Sequence, residues 1–193
     1  QERPRTEKLL KEYGNVKVDE VTIGQIIGGM RDIKSLVTDI SYLDPFEGIR
    51  FRGLTIPEVF EKLPKVINAE MPSVEAFFYF LLTGDIPTEN EVAEVRAEFD
   101  KRREVPSYVF EILRAMPIDS HPMTMFATGI MSMQKDSVFA KEYHHGLKKP
   151  NYWEAYYEDA MNLLAKLPEI GAFIYRLKYR DGKIIPSDPK LDF

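Results

Sequence analysis

A mostly α-helical fold with one small β-hairpin near its N-terminus is what this sequence predicts, and three observations carry the prediction. From Thr55 onward, helix-start signals recur, each followed by apolar residues at helical spacing. Before Thr55, Asp44-Pro45 and Gly48 mark a tight turn between two short β-prone runs. Apolar residues make up 44% of the 193 positions, enough for a real core and too many for a disordered chain.

Taken in order, Glu7–Tyr13 reads as a short helix and Val16–Ile23, which roughly alternates, as a strand. The hairpin Leu36–Arg52 follows, its strands drawn from Leu36–Leu43 and Ile49–Phe51. Pro45 presets the turn φ, and Gly48 closes the turn where a positive φ is often required. Thr55 and Glu58 form a capping-box signal with Pro57 in the first turn; Val59, Phe60 and Leu63 then share one face. Ser73–Leu82 repeats the pattern with Ser73 as cap, Phe77, Phe80 and Leu81 as buried stripe, and Gly84 as stop. Thr88–Arg103 opens on a Thr88/Glu91 capping box and buries Val92, Val95 and Phe99.

Ser107–Met116 lies between breaks at Pro106 and Pro117. Pro122–Met133 is apolar nearly all round, so it must be buried on most sides, either within the chain or at a subunit interface where Met packs adaptably. In Tyr152–Tyr179 the residues Trp153, Tyr156, Tyr157, Ala160, Leu163, Leu164 and Leu167 keep helical spacing, and Pro168 predicts a kink or restart. Asp181-Gly182 ends the helix, and Ile184–Phe193, with Pro186 and Pro189, reads as an extended connector. The regions are thus a hairpin region 16–53, a helical region 55–180 and a connector 181–193.

Composition excludes several functions. The net charge of -5 leaves no basic footprint for nucleic acid or an anionic membrane. No apolar run approaches the length of a membrane span. Without cysteine there is no disulfide, thiolate nucleophile or Cys-based metal site, which fits a reducing cytoplasm. The opening residues, with several Glu and no apolar stretch, are neither a secretory signal nor a convincing transit peptide.

Few residues offer chemistry. His121, before Pro122, reads as a helix-start residue bonding exposed amides rather than as a base. His144 and His145 are adjacent, point apart on a helix, and have no third ligand nearby, so no metal site is expected. Lys148 and Lys149 read either as a solvated pair or as a spot that reaches a phosphate. Gly28-Gly29-Met30-Arg31 lacks phosphate-loop spacing and reads as a flexible turn before an exposed Arg31. Arg50 and Arg52 alternate on one face of the hairpin strand, which suits an anion or a solvated face equally. Glu47, Glu58, Glu154, Glu158 and Asp159 read as caps or solvated groups rather than as acid–base catalysts.

The segment Leu43–Gly53, with Gly28–Arg31 before it and Gly53–Pro57 after it, resembles citrate synthase. Leu81–Thr88 strengthens the likeness. So do Leu63-Pro64, Leu113 to Pro117, His121–Met123, Tyr152–Glu154, Leu164–Pro168, Ile174–Arg176 and Lys190–Phe193, all in the family's order. The likeness runs from about Tyr13 to Phe193 and is to the long form found in eukaryotic mitochondria and some bacteria.

The resemblance implies part of that enzyme's helical large domain, and an activity that condenses acetyl-CoA with oxaloacetate and then hydrolyses citryl-CoA. Acetyl-CoA would be a co-substrate, with no covalently bound cofactor. It places Lys149 at a position where a basic residue contacts coenzyme A phosphate, Lys standing for the common Arg, and Arg31 close to the coenzyme A nucleotide. It also implies a homodimer through Ser107–Met116 and Pro122–Met133. The family's catalytic histidines, aspartate and arginines lie downstream of the Lys190–Phe193 match, so no catalytic residue carries over. The expectation is an N-terminal piece, engineered or proteolytic, that is inactive alone. The alternatives are a naturally short helical protein used for binding or assembly, or a piece of a 2-methylcitrate synthase. The compartment expected is bacterial cytoplasm, or the mitochondrial matrix in a eukaryote.

Overall fold

The computed structural model describes residues 2–31, 33, 38, 40–44, 46–66 and 69–185. Pro45, part of the first hairpin strand and most of the connector, residues 186–193, lie outside the described residues. The chain divides into two compact units, Gln1–Asp39 and Ile40–Phe193.

In the first unit, helix α1 spans Glu2–Tyr13, five residues earlier than the sequence suggests at its start. Residues 16–22 are not a strand. Their apolar side chains Val16, Val18 and Val21 are exposed, so no buried face rewards the alternation. Thr22 instead caps a short helix α2, Ile23–Ile27, in a capping box with Gln25.

The second unit opens on a three-stranded antiparallel sheet, β1 (Ser41–Asp44), β2 (Gly48–Phe51) and β3 (Leu54–Thr55), in that order. Tyr42 pairs with Arg50 and Arg50 with Thr55. The Asp44 carboxylate accepts the Phe46 and Glu47 amides at 2.8 and 2.9 Å, which builds the turn, and Gly48 takes a φ of 89°. Arg52 is not on the strand. It sits in the β2–β3 turn at a φ of 48°, and its guanidinium donates to the carbonyls of Leu81 at 2.6 and 2.9 Å and Leu82 at 3.0 Å.

Eight helices follow among the described residues: α3 (Ile56–Lys62), α4 (Val74–Thr83), α5 (Glu89–Arg102), α6 (Ser107–Ala115), α7 (Pro122–Ser132), α8 (Val138–His144), α9 (Tyr152–Leu164) and α10 (Leu167–Tyr179). The Thr55/Glu58 and Thr88/Glu91 capping boxes form, Ser73 caps α4, and Gly84 stops it in the left-handed conformation. Pro168 starts α10, so the long run 152–179 is two helices.

Three apolar clusters hold the unit. Val59, Leu63, Ala76, Phe80 and Val92 join the sheet, α3, α4 and α5, with Phe51 edge-on to Phe77. Phe99, Met161 and Ala165 join α5 to α9. Val109, Phe110, Leu113, Met125, Ile170, Phe173 and Ile174 join α6, α7 and α10. Gly129 on α7 faces Ile170 of α10 and Leu113 of α6 within this cluster.

Three expected faces are placed differently. On α9 the buried residues are Ala155 and Met161, while Trp153, Tyr156 and Tyr157 are exposed, because Phe99 of α5 packs on Met161 and not on the aromatic side of the helix. On α7, Met125 and Gly129 are buried but Met123 and Met131 are 62% and 75% exposed, so one apolar side is open. Phe60 is 37% exposed, with the Lys65 ammonium over its ring. The fully buried Glu75, which apolar periodicity does not flag, pairs with Arg96 at 2.9 Å between α4 and α5.

Arg52 satisfies carbonyls that the end of α4 leaves without helical partners. Arg52→Met is expected to cost about 2 kcal/mol in urea unfolding. Arg50→Met, which breaks an exposed pair with Glu47 and an exposed bond to the Gly53 carbonyl, should move the midpoint much less.

Candidate functional site

Arg31 and Lys149 are built into the chain by the same local device. Helix α2 ends where the Met30 amide donates to the Gln25 carbonyl at 2.7 Å and the Gly29 amide to Ile26 at 3.2 Å, with Gly29 at a φ of 79°. Helix α8 ends where the Leu147 amide donates to Glu142 at 2.9 Å and the Gly146 amide to Tyr143 at 3.0 Å, with Gly146 at a φ of 87°. Both are Schellman stops, which reverse the chain sharply and satisfy terminal carbonyls. An exposed basic residue follows each: Arg31 after the first, Lys148 and Lys149 after the second. Arg31 belongs to the first unit and Lys149 to the second. The turn before Arg31 is therefore a defined stop.

Lys149 opens a short 3₁₀ turn, Lys149–Asn151, that runs directly into α9. Lys141, His144, His145 and Lys148 lie on the same stretch, with Glu142 the single acid among residues 138–151. The His144 and His145 rings stand 6.1 Å apart and tilted by 60°, and no cluster of three metal-ligating side chains exists among the described residues. The local charge is suited to an anion such as a phosphate, not to a cation.

The other end of α8 is fixed from α9. The Asp159 carboxylate accepts the Ser137 hydroxyl at 2.6 Å, the Val138 amide at 2.6 Å and the Phe139 amide at 3.0 Å. The Phe139 ring stacks on Tyr156 with centroids 4.1 Å apart and planes 13° apart, and meets Tyr152 edge-on. Sequence reasoning leaves Asp159 among solvated or capping acids and finds no α8. The usable signal was Ser137, three residues before the amide it caps at Ala140.

Beside this bracket lies a cavity of about 200 Å³, walled by Ile130, Met133 and Leu163 and edged by Asp159, Asn162 and Lys166. The Lys166 ammonium donates to the carbonyls of Arg102 at 2.6 Å and Asn162 at 3.1 Å. Burial, with the Arg102 guanidinium nearby, pushes its pKa down.

Most of the other acids and bases singled out in the sequence are committed to structure. His121 accepts the Met123 amide on Nδ1 at 3.2 Å, capping α7. Glu158 pairs with Arg102 at 2.7 Å, and Glu47 with Arg50 at 2.8 Å. Arg50 also donates to the Gly53 carbonyl. The Tyr79 hydroxyl donates to Glu91 at 2.6 Å, and the Thr88 amide and hydroxyl donate to its other oxygen. Together they hold Glu91 below its ordinary value of 4.5. The Thr55 amide and hydroxyl do the same for Glu58. Glu154 is exposed. No helix among the described residues is long and apolar enough to cross a membrane.

A family described as "Citrate synthase, C-terminal domain" matches residues 29–193. Citrate synthase 4, mitochondrial, of Arabidopsis thaliana is 42% identical over all 193 residues, which span 41% of the relative. The mitochondrial 2-methylcitrate synthase of Yarrowia lipolytica is 45% identical over 190 residues, 98% of this chain and 41% of that protein. Among solved structures, citrate synthase from Pyrobaculum aerophilum superposes with a TM-score of 0.70 at 23% identity, over 91% of this chain and 44% of that one. A ternary complex of Thermoplasma acidophilum citrate synthase with carboxymethyl coenzyme A and oxaloacetate gives 0.62 at 19% identity, over 89% and 40%. These two share the fold. The chain spans about two fifths of the length of the curated relatives it matches.

Because Glu58 and Glu91 are held below their unfolded values, the stability they add is present above pH 4.5 and is lost as pH falls through their folded values. The urea midpoint should therefore drop on acidification below that point. Glu91→Gln should be less stable at neutral pH and show a shallower acid loss.

Proposed function

The chain belongs to the citrate synthase family, and we propose that it supplies the first part of that enzyme's large helical domain, without the catalytic groups. The protein carrying it would condense acetyl-CoA with oxaloacetate to give citrate and coenzyme A. The observation that carries this reading is the 42% identity that runs through all 193 residues. The Thermoplasma acidophilum neighbour, bound to a coenzyme A analogue and oxaloacetate, supports the same substrates.

The chemistry requires a base for the acetyl methyl proton, a donor for the enolate oxygen, and cations for a dicarboxylate. Among the described residues, His121, Glu58, Glu91, Glu158 and Asp159 are tied to helix ends or to an arginine. A carboxylate held as a cap is stabilised in its charged form and is a weak base. This chain's part is then to bind and orient, with Arg31 and Lys149 as contacts for the coenzyme A phosphates. Lys offers a point charge there, where Arg would offer a fork.

The open side of α7, with Met123 and Met131, and the neighbouring α6 support a homodimer seam. The relatives' names point to mitochondria rather than to the bacterial cytoplasm expected from the sequence, and we take the mitochondrial matrix as the compartment. A second reading, favoured by the identity to the Yarrowia lipolytica enzyme, is condensation of propionyl-CoA to 2-methylcitrate.

The purified 193-residue chain, given acetyl-CoA and oxaloacetate, is expected to release no coenzyme A thiol above background. Steady turnover would show that the catalytic groups are here after all. In the protein that carries this segment, Met131→Glu should shift sedimentation from dimer toward monomer. An unchanged dimer would remove α7 from the seam.

A further inference from the structure

We infer that Asp159 is a positioning residue for the phosphate-binding loop: from α9 it clamps the start of α8 and so fixes where Lys148 and Lys149 present their charges. The inference rests on the reading of Lys149 as a coenzyme A phosphate contact.

Helix α8 is only two turns long, too short to hold itself together in water. Its described side chains are half-buried or exposed, so no deep core contact holds it. What fixes it is attachment at both ends. At the N-terminal end one carboxylate takes three donors, Ser137 Oγ and the Val138 and Phe139 amides, across 20 to 22 residues of sequence. Ser137 in turn accepts the Ala140 amide at 2.9 Å. Along its length, Phe139 lies flat on Tyr156 and edge-on to Tyr152, both on α9. At the C-terminal end the Schellman stop at Gly146 sets the exit direction. The chain then passes through Lys148, Lys149 and the turn Lys149–Asn151 back into α9 at Tyr152.

The result is a closed bracket. Asp159 lies two helical turns along α9 from the point where the basic loop enters it, so a single helix holds both ends of the bracket. Releasing Asp159 removes the polar anchor of the α8 start and leaves the Phe139 stack and the Gly146 stop to hold the helix, so the lysines keep their places in only a fraction of molecules. A ligand that needs the ordered loop then binds more weakly by the fraction of molecules that keep it ordered. An ordered fraction of about 0.1 to 0.3 gives an affinity loss of about three- to tenfold.

The test is a double-mutant cycle read by titration calorimetry with coenzyme A on the full chain, using Asp159→Asn and Lys149→Ala. Gly146→Ala is added because it strains the other end of α8 at a φ of 87° without touching Asp159. Circular dichroism checks that each variant is folded. The inference expects Lys149→Ala to weaken binding. Asp159→Asn and Gly146→Ala should each weaken it about three- to tenfold when Lys149 is present, and neither should change it further when Lys149 is Ala. A purely structural role would lower affinity equally in both backgrounds, and that result overturns the inference. So does a weak Lys149→Ala variant beside an unchanged Asp159→Asn. If Asp159→Asn fails to fold, the Gly146→Ala arm decides by the same criteria. If the chain does not bind coenzyme A, or Lys149→Ala binds as well as the original, the phosphate reading itself falls, and the inference with it.

Discussion

Short helices in series have many ends, and every end exposes backbone groups that the helix cannot pair. The helices of this chain's larger unit run from 7 to 14 residues, so unpaired ends make up a large share of the backbone. The fold meets this constraint with side chains that reach from one element to the terminus of another. Arg52 in the sheet turn closes the end of α4. Asp159 on α9 closes the start of α8. Lys166, just before α10, binds the final α5 carbonyl, at Arg102. Lys178 on α10 takes the carbonyls of Ile118 and Ser120 between α6 and α7, both at 2.6 Å. The first three pair a helix terminus, the last pairs a helix–helix connection, and each ties together parts of the chain far apart in sequence. The apolar clusters set which helices touch, and the long-range caps set their register.

The same constraint explains where the basic residues stand. A Schellman stop turns the chain out of a helix at a fixed angle, and whatever follows is held near the surface. Arg31 and the Lys148–Lys149 pair occupy that position after α2 and α8. A phosphate contact needs a charge that is exposed yet placed, and a helix stop provides both. Several acids of the larger unit, by contrast, are spent on amides and guanidinium groups: Asp44, Glu58, Glu91 and Asp159 on amides, Glu47, Glu75 and Glu158 on arginines.

Much of this was legible in the sequence. Thr55/Glu58 and Thr88/Glu91 declare their helices through the spacing of cap and reciprocal carboxylate, and Gly84 and Pro168 mark an end and a restart. The Asp44–Gly48 turn was readable because Asp and Gly have distinct reasons to be there. What was missed has a physical cause in each case. Val16–Ile23 alternates like a strand, but alternation requires a face to bury, and Thr22 with Gln25 offered a helix cap instead. The aromatic stripe of α9 keeps helical spacing, yet Phe99 of α5 packs on Met161 and Ala165, a choice that the sequence of α9 alone does not encode. Glu75 is invisible as a core residue because its partner, Arg96, is 21 residues away. At the candidate site, Arg31 and Lys149 came from family resemblance, and Asp159 emerged only from its three long-range bonds.

The central claim is that side chains from other elements, in addition to local caps, hold helix ends, above all the start of α8. Amide hydrogen exchange at single-residue resolution tests it most directly at Val138 and Phe139. Both lie in the first turn of α8, where amides have no helical acceptor and normally exchange freely. The account predicts that these two amides are protected comparably to those in the middle of α9. Exchange at the rate of an open N-terminal turn would contradict it.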